Sequence, residues 1–398
     1  MTAGTTEALS GPAPLGAKAH AHGAGAVPEQ SRAERQASFD VADFAVPTGR
    51  EEIWRFTPMD RLRELHTGSF GQAVPAQFDV QTAGVVTSEL VTRDDERLGR
   101  AGVPEDRVAA QAWSGFEKAL VVTVPRGNDT TEPTVVTIGG RAGETSFEHV
   151  LIVAEREATG VVVLDHRGSG THAGNLELDL ADASHLTVVS IHDWADDAVH
   201  LTQHHARLGR DARLKHVVAT LGGDLVRVVG TVSYDGPGGD AELIGLYFAD
   251  AGQHLEHRLF VDHAVPHCKS RALYKGALQG AKAHTVWIGD VLIRKAAEGT
   301  DTYEMNRNLI LTSGARADSV PNLEIETGEI VGAGHASATG RFDDEQLFYL
   351  LSRGIPPEVA KRLVVRGFFG EVLLRIGIAE VVEKATEIIE RELAIAGI

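Results

Sequence analysis

From about residue 121 to residue 335 the chain is a succession of short strand-like bursts with almost no helical period between them. Val121-Val122-Thr123-Val124, Thr134-Val135-Val136-Thr137-Ile138, Val150-Leu151-Ile152-Val153, Val161-Val162-Val163-Leu164 and Leu186-Thr187-Val188-Val189 follow one another. Leu225 to Val229, Leu243 to Phe248 and Leu309-Ile310-Leu311 continue the series, with small-residue and Asx turns between bursts. Asp182-Ala183, Asp211-Ala212 and Asp240-Ala241 each precede a new burst, at intervals of 29 residues. Gly280-Ala281 and Gly314-Ala315 repeat the join less regularly. A repeating unit of strands and tight turns is the signature of a solenoid, in which each coil hydrogen-bonds to the one before. A β-sandwich or barrel is the alternative, because it too has short strands at near-regular spacing. The residues favour the solenoid, and its core is placed at 126–341.

The flanks differ in character. Residues 1–38 are rich in Ala, Gly, Pro, Ser and Thr, and are expected to form a disordered tail. His20 and His22 within it lack the rigidity that a metal site needs. Residues 39–125 are mixed. Glu51 to Met59 reads as a short helix or turn anchored by Trp54 and Phe56, and Pro104 to Leu120 as a helix with acids in its first turn. From 342 to 398 the pattern is helical. Asp343 is a good N-cap with Gln346 three residues on, and Leu347, Leu350 and Leu351 share a face. Gly354 ends that helix and Pro356-Pro357 starts a second, which carries Val359, Leu363, Phe368, Phe369, Val372 and Leu373. A third runs from about Ile378 to Leu393 with Glu383, Lys384, Glu387 and Glu390 outward. Such an appendage either covers an exposed coil or docks a partner.

The balance of 38 basic against 56 acidic residues, net −18, argues against nucleic acid and against an anionic membrane surface. No run of about 18 apolar residues is present, so no membrane span is expected. The N-terminus has no charged start followed by an apolar stretch, so no signal peptide is expected. One cysteine, Cys268, allows no internal disulfide and no Cys-rich cluster site. A reducing cytoplasm fits.

Eighteen histidines invite a metal hypothesis, above all His200, His204 and His205, and His254, His257, His263 and His267. Neighbours on a strand point to opposite faces, so packing is the preferred reading of both groups. Cys268 beside Lys269 reads as a small packing residue, with a reactive thiol as the sharper alternative. There is no Gly-x-Ser-x-Gly elbow, no HExxH and no phosphate loop. His335 stands apart, at the end of the strand region among Gly332, Ala333, Gly334 and Ala336. It reads either as a surface-turn histidine or as a ligand offered at an interface.

Asn308-Leu309, Pro321 to Ile325, Gly334-His335-Ala336-x-x-Thr339-Gly340, and Asp344 to Ile355 resemble the signature of the SufB/SufD family. Ser270-Arg271-x-Leu273-x-Lys275-Gly276 and Glu52-x-Trp54-Arg55-Phe56-Thr57 fit as well. The resemblance covers roughly residues 45–375 and is closer to SufD in length and scarcity of cysteine. No cysteine lies between Asn306 and His335, and Ala333 occupies a position where many SufD-like members have Cys. Both departures argue against cluster binding by this chain alone.

The resemblance implies a right-handed parallel β-helix core with a flanking N-terminal α/β region and a C-terminal helical region. It implies a non-catalytic scaffold for iron–sulfur assembly, bound to a SufB-like protein through the β-helix. ATP hydrolysis would belong to a SufC-like partner docked on the C-terminal helices, with Asp343, Leu347, Phe348, Leu350, Arg353, Phe368 and Phe369 as contacts. It further implies no cofactor bound by the chain alone, and a transient iron or iron–sulfur cluster at the SufB interface with His335 as this chain's ligand. Flavin binding and self-association into a homodimer are left open. The competing classes are a solenoid enzyme acting on polysaccharide, which needs a carboxylate pair in a groove, and a His-rich metal-storage module.

Overall fold

The computed structural model describes residues 35–341 and 344–395. Its centre is a parallel β-solenoid of about eight coils. Each coil gives one strand to a front sheet and one to a back sheet. The front sheet runs through Ala119–Val124, Thr145–Ala154, Thr171–Leu180, Val199–Leu208, Leu225–Tyr234, His254–His263, His284–Ile293 and Arg316–Ile325. The back sheet runs through Pro133–Gly140, Thr159–Gly168, His185–Trp194, Arg213–Thr220, Asp240–Ala249, Lys269–Leu278, Asp301–Ile310 and Gly332–Arg341. Pairing between these coils is parallel; antiparallel strands join only at the first coil, where Gln77–Gln81 and Thr87–Val91 extend the two sheets.

Register, not the Asp-Ala echo, sets the period. His185 pairs with Arg213, a step of 28, and Arg213 with Asp240, a step of 27. Thr145 pairs with Thr171, a step of 26, and His284 with Arg316, a step of 32. The 29-residue echo therefore drifts across the corners: Ala183 and Asp211 are corner residues, whereas Asp240 begins a strand. What recurs at the corners is a left-handed residue, such as Glu157, Ala183, Asp211, His267 and Lys282, or glycine as at Gly252 and Gly314. The left-handed region is cheap only for Gly and a few short polar residues, yet Glu157, His267 and Lys282 adopt it too, so the corners share a conformation and not a strict motif.

Alternation of side chains then builds three apolar layers. Inward residues such as Val122, Ile152, Leu178, Val188, Val228, Leu243, Leu259 and Trp287 fill the space between the sheets. The outer front face packs under the N-terminal region, where Trp54, Leu62, Leu65, Val108 and Phe116 meet Phe147, Leu151 and Leu201. There helix α1 (Arg107–Gly115) is capped by Asp106, whose side chain accepts from Ala109 N–H, and ends at Phe116. It is shorter than the expected 104–120, because residues from Ala119 on already pair in the front sheet. Residues 35–38 are held to this body: Arg35 pairs with Glu105 at 2.9 Å and Ser38 N–H donates to Pro104 O. The tail proper, with His20 and His22, lies outside the described residues.

The C-terminal helices are α2 (Asp344–Ser352), α3 (Pro357–Ile376) and α4 (Ala379–Ile395), and the outer back face packs under α3 and α4. Val365, Phe369, Val372, Ile376, Ala385 and Ile389 cover Val189, Val217, Ile244, Phe248 and Leu273. Polar ties reinforce the layer: Lys275 Nζ donates to Phe368 O at 3.0 Å and pairs with Glu371 at 2.9 Å. Lys384 was expected to point outward; it turns in and pairs with the buried Asp165.

Phe369 is fully buried between α3 and the back sheet. Phe369→Ala is expected to destabilise the protein by about 3–5 kcal/mol. A drop in denaturant midpoint well below that of an exposed control such as Glu387→Ala, at unchanged m-value, is the readout.

Candidate functional site

The strands Arg316–Ile325 and Gly332–Arg341 end their sheets, so the last coil has no described coil stacked beyond it. His335 lies within the second of these strands, not in a turn, and is exposed. It is in register with Glu304 of the preceding coil, as Ala333 is with Thr302, Ser337 with Asn306 and Thr339 with Asn308. Residues paired across parallel strands share a face. Thr302, Glu304, Asn306 and Asn308 are buried on the inward face, so His335 belongs to the inward lane of the solenoid. It is open to solvent because the stack stops there.

A hydrogen-bonded network braces this end. Tyr247 OH donates to Asn308 Oδ1 at 2.8 Å and accepts from Asn306 Nδ2 at 2.7 Å. Asn308 Nδ2 donates to Ser319 Oγ at 3.0 Å, and Ser319 Oγ donates to Asn306 Oδ1. Beside it, Glu304 is 2% exposed, and its Oε1 has no hydrogen-bond partner. Burial raises its acid to about 8, so it is a neutral carboxylic acid at pH 7. A β-carbon at Gly289 would lie 2.5 Å from Trp287 and 2.8 Å from Glu304 Oε1, so only glycine leaves room for both.

The residues expected to meet a partner separate into two groups. Phe348 is 72% exposed on α2, and Arg353 is exposed, with its guanidinium 5.3 Å from the centre of the Tyr349 ring. Leu350 is half-buried and Leu347 lies within α2. Asp343 lies outside the described residues. Phe368 is half-buried under Lys275, and Phe369 is fully buried. Phe369 therefore serves the chain's own interior and offers no surface to a partner. Val359, Leu363 and Leu374 are the exposed large apolar residues of α3 instead. A groove of about 520 Å³ runs between α3 and the last back-sheet strands, lined by Arg307, Leu309, Gly340, Arg341, Val364 and Phe368.

The other singled-out residues are structural. Cys268 is buried at a corner, and burial pushes its thiol above the usual range, against a reactive thiolate. His204 faces inward to His216 Nε2 at 3.1 Å, whereas His205 turns to the other face beside Gln203. His257 meets Thr220 Oγ1, and His263 meets Ser270 Oγ. Sequence neighbours thus do not form a site. Histidines one coil apart do come together: His166, His192 and His200 meet beside Glu148 inside the solenoid.

The inward lane thus ends on an exposed histidine, beside a brace of Asn306, Asn308, Ser319 and Thr339. A family model described as SUF system FeS cluster assembly, SufBD core domain, matches residues 136–368. The chain belongs to the SufBD family. It is 60% identical over 372 residues to an iron-sulfur cluster assembly SufBD family protein of Mycobacterium bovis, covering 92% of this chain and 94% of that one. It is 26% identical to the iron-sulfur cluster assembly protein SufD of Escherichia coli, over 82% of this chain and 84% of the relative. SufD of Bacillus subtilis is likewise 26% identical, over 79% of this chain and 73% of the relative. The matched span takes in most of the solenoid, α2 and the first part of α3. No described helix is long and apolar enough to cross a membrane.

Glu304 carries a pH signature. Its acid is near 4.5 when unfolded and about 8 when folded, so the folded state holds the extra proton. Its contribution to stability is full below pH 4.5 and is lost as pH rises toward 8. Glu304→Gln is expected to leave stability at pH 4 nearly unchanged and to raise it at pH 8 by a few kcal/mol. Thermal melts of both proteins across this window check the sign.

Proposed function

We propose that this chain is a SufD-like scaffold subunit in iron–sulfur cluster assembly, joined to a SufB-like protein through the open end of the solenoid. The single observation that carries the reading is His335, exposed at the end of the inward lane on a strand whose outer edge has no partner among the described residues. An edge of free backbone N–H and C=O groups is a template for another strand. A second β-solenoid meeting it there would enclose His335 in the joint. Neutral imidazole is a good ligand for iron, and the partner would supply the thiolates this chain lacks. The iron–sulfur cluster is then cargo held between two chains.

The ATPase, a SufC-like protein, would dock on the exposed apolar residues of α2 and α3: Phe348, Tyr349, Val359, Leu363 and Leu374. Truncation from residue 343 is a poor test of this, because it would also uncover Val217, Ile244 and Phe248 of the back sheet. Point changes separate docking from folding. Phe348→Glu combined with Leu363→Glu is expected to weaken binding of the ATPase at least tenfold while leaving the melting temperature within a few degrees. Retained affinity by calorimetry would reassign the docking face.

Asp179, Asp235 and Asp262 on the outer side of the front coils are held by cations and do not stand as a catalytic pair. Arg207 binds Asp179 and Asp235 at 2.8 Å, and Arg294 binds Asp262 at 2.7 Å. This favours the scaffold over a polysaccharide-active solenoid.

The decisive test is His335→Ala in a complex reconstituted with the SufB-like and SufC-like proteins. Complex formation is expected to persist and cluster yield, read by visible absorbance and bound sulfide, to fall several-fold. A full cluster yield in the variant would remove His335 from the site.

A further inference from the structure

We propose that Glu148, His166, His192 and His200 form a second site, inside the solenoid, for one divalent first-row transition ion. The four residues come from four strands in consecutive coils: Thr145–Ala154 and Val199–Leu208 of the front sheet, Thr159–Gly168 and His185–Trp194 of the back. All are inward and buried, His192 and His200 completely. The three histidines offer ligand nitrogens within 4.8 Å of one another. Glu148 Oε1 lies 3.2 Å from His166 Nε2 and 3.3 Å from His200 Nε2. For bonds of about 2.0–2.1 Å, ligand atoms of a tetrahedral site stand roughly 3.3–3.4 Å apart. The spacing already present is that of two edges of such a site.

Hydrogen-bond bookkeeping points the same way. His166 Nδ1 lies 3.1 Å from Ile191 O, which can only accept, so the ring carries a proton on Nδ1. Its Nε2 lone pair then faces a carboxylate oxygen. Two acceptors at 3.2 Å require a cation between them, either a proton or a metal. The Nδ1–H to backbone carbonyl contact is also the second-shell bond that metal-bound histidines commonly make. His200 Nε2 is fully buried and lacks an aligned hydrogen bond, although Glu148 Oε1 is near. His192 is held by Ser190 Oγ at Nε2, with its Nδ1 3.2 Å from His200 Nδ1.

Burial holds His192 well below its ordinary range and His200 down to about 4, so both rings are neutral, as ligands must be. Burial works to raise Glu148, but His166 and His200 outweigh it and keep the carboxylate ionised. One carboxylate and three imidazoles suit zinc, iron(II) or cobalt(II) and not calcium or magnesium. When the ion enters, the proton between His166 and Glu148 leaves. His200 shifts its own proton to Nδ1, while His192 keeps its proton on Nε2 toward Ser190 Oγ and turns its Nδ1 lone pair from His200 to the ion. The Trp194 indole N–H, now 3.1 Å from His200 Nδ1, gives up that acceptor and keeps its stacking on His172.

This site is distinct from His335, from which the strand holding His200 is separated by four steps of the front sheet, roughly 19 Å at ~4.8 Å per step. It is sealed, so the ion is acquired as the chain folds and is lost slowly.

The test is production of the full chain in medium supplemented with Co²⁺ or Zn²⁺, dialysis against a chelator, and metal analysis by mass spectrometry. About one equivalent is expected to remain in the native protein and in His335→Ala, with the visible d–d bands of four-coordinate Co²⁺. Glu148→Gln and His166→Gln are each expected to retain under a tenth of an equivalent while keeping the far-ultraviolet dichroism of the native fold. Should either fail to fold, His192→Gln gives the same readout from the other side of the site. A metal-free native protein, or variants that hold metal as well as the native chain, would overturn the proposal.

Discussion

In-register stacking of parallel coils is the constraint from which the rest of this molecule follows. Each coil hydrogen-bonds only to its neighbours, so a residue's companions are set by the position one coil away and not by its sequence neighbours. Apolar companions give a continuous core between two sheets. Polar companions give something less common in an interior: histidine beside histidine, held by serine, threonine and one carboxylate. Unpaired buried polar groups are costly, so a lane of this kind persists only if its members satisfy one another. His204 with His216, and His172 with Ser146, do so.

The stack must also end. A coil at the terminus has one free edge and an inward face with nothing above it. At the start, two antiparallel strands and the N-terminal region close the first coil. At the finish, the strands Arg316–Ile325 and Gly332–Arg341 stay open, and the inward residue there is His335. The same lane position that buries Glu304 one coil earlier therefore presents an imidazole to solvent. The helices α3 and α4 do not cap this end; they cover the back sheet.

Much of the fold was legible in the residues. The strand bursts, their turns and the three C-terminal helices lie close to where pattern and capping chemistry placed them. The Asp-Ala echo had the right scale and the wrong register, since corner lengths vary while strand pairing does not. Expecting Phe368 and Phe369 to act as one surface failed for a geometric reason. Adjacent residues on a helix are about 100° apart, so one can be buried while the other lies at the rim. Lys384 was read as outward because lysine usually is; a buried Asp165 on the back sheet draws it in.

What the sequence by itself determined is the repeat, the family signature around His335, and the lack of cysteines to bind a cluster alone. Those are local properties, carried by residue type and spacing. Only the tertiary structure decided which residues meet. Glu148, His166, His192 and His200 are spread over 52 positions and share no motif; the coil period brings the three histidines within ligand distance of one another. Glu304 became a neutral acid, Cys268 an inert thiol and His335 an open-ended lane residue through burial alone. Burial depends on where the chain returns after a coil and on where the coils stop, and residue spacing encodes neither.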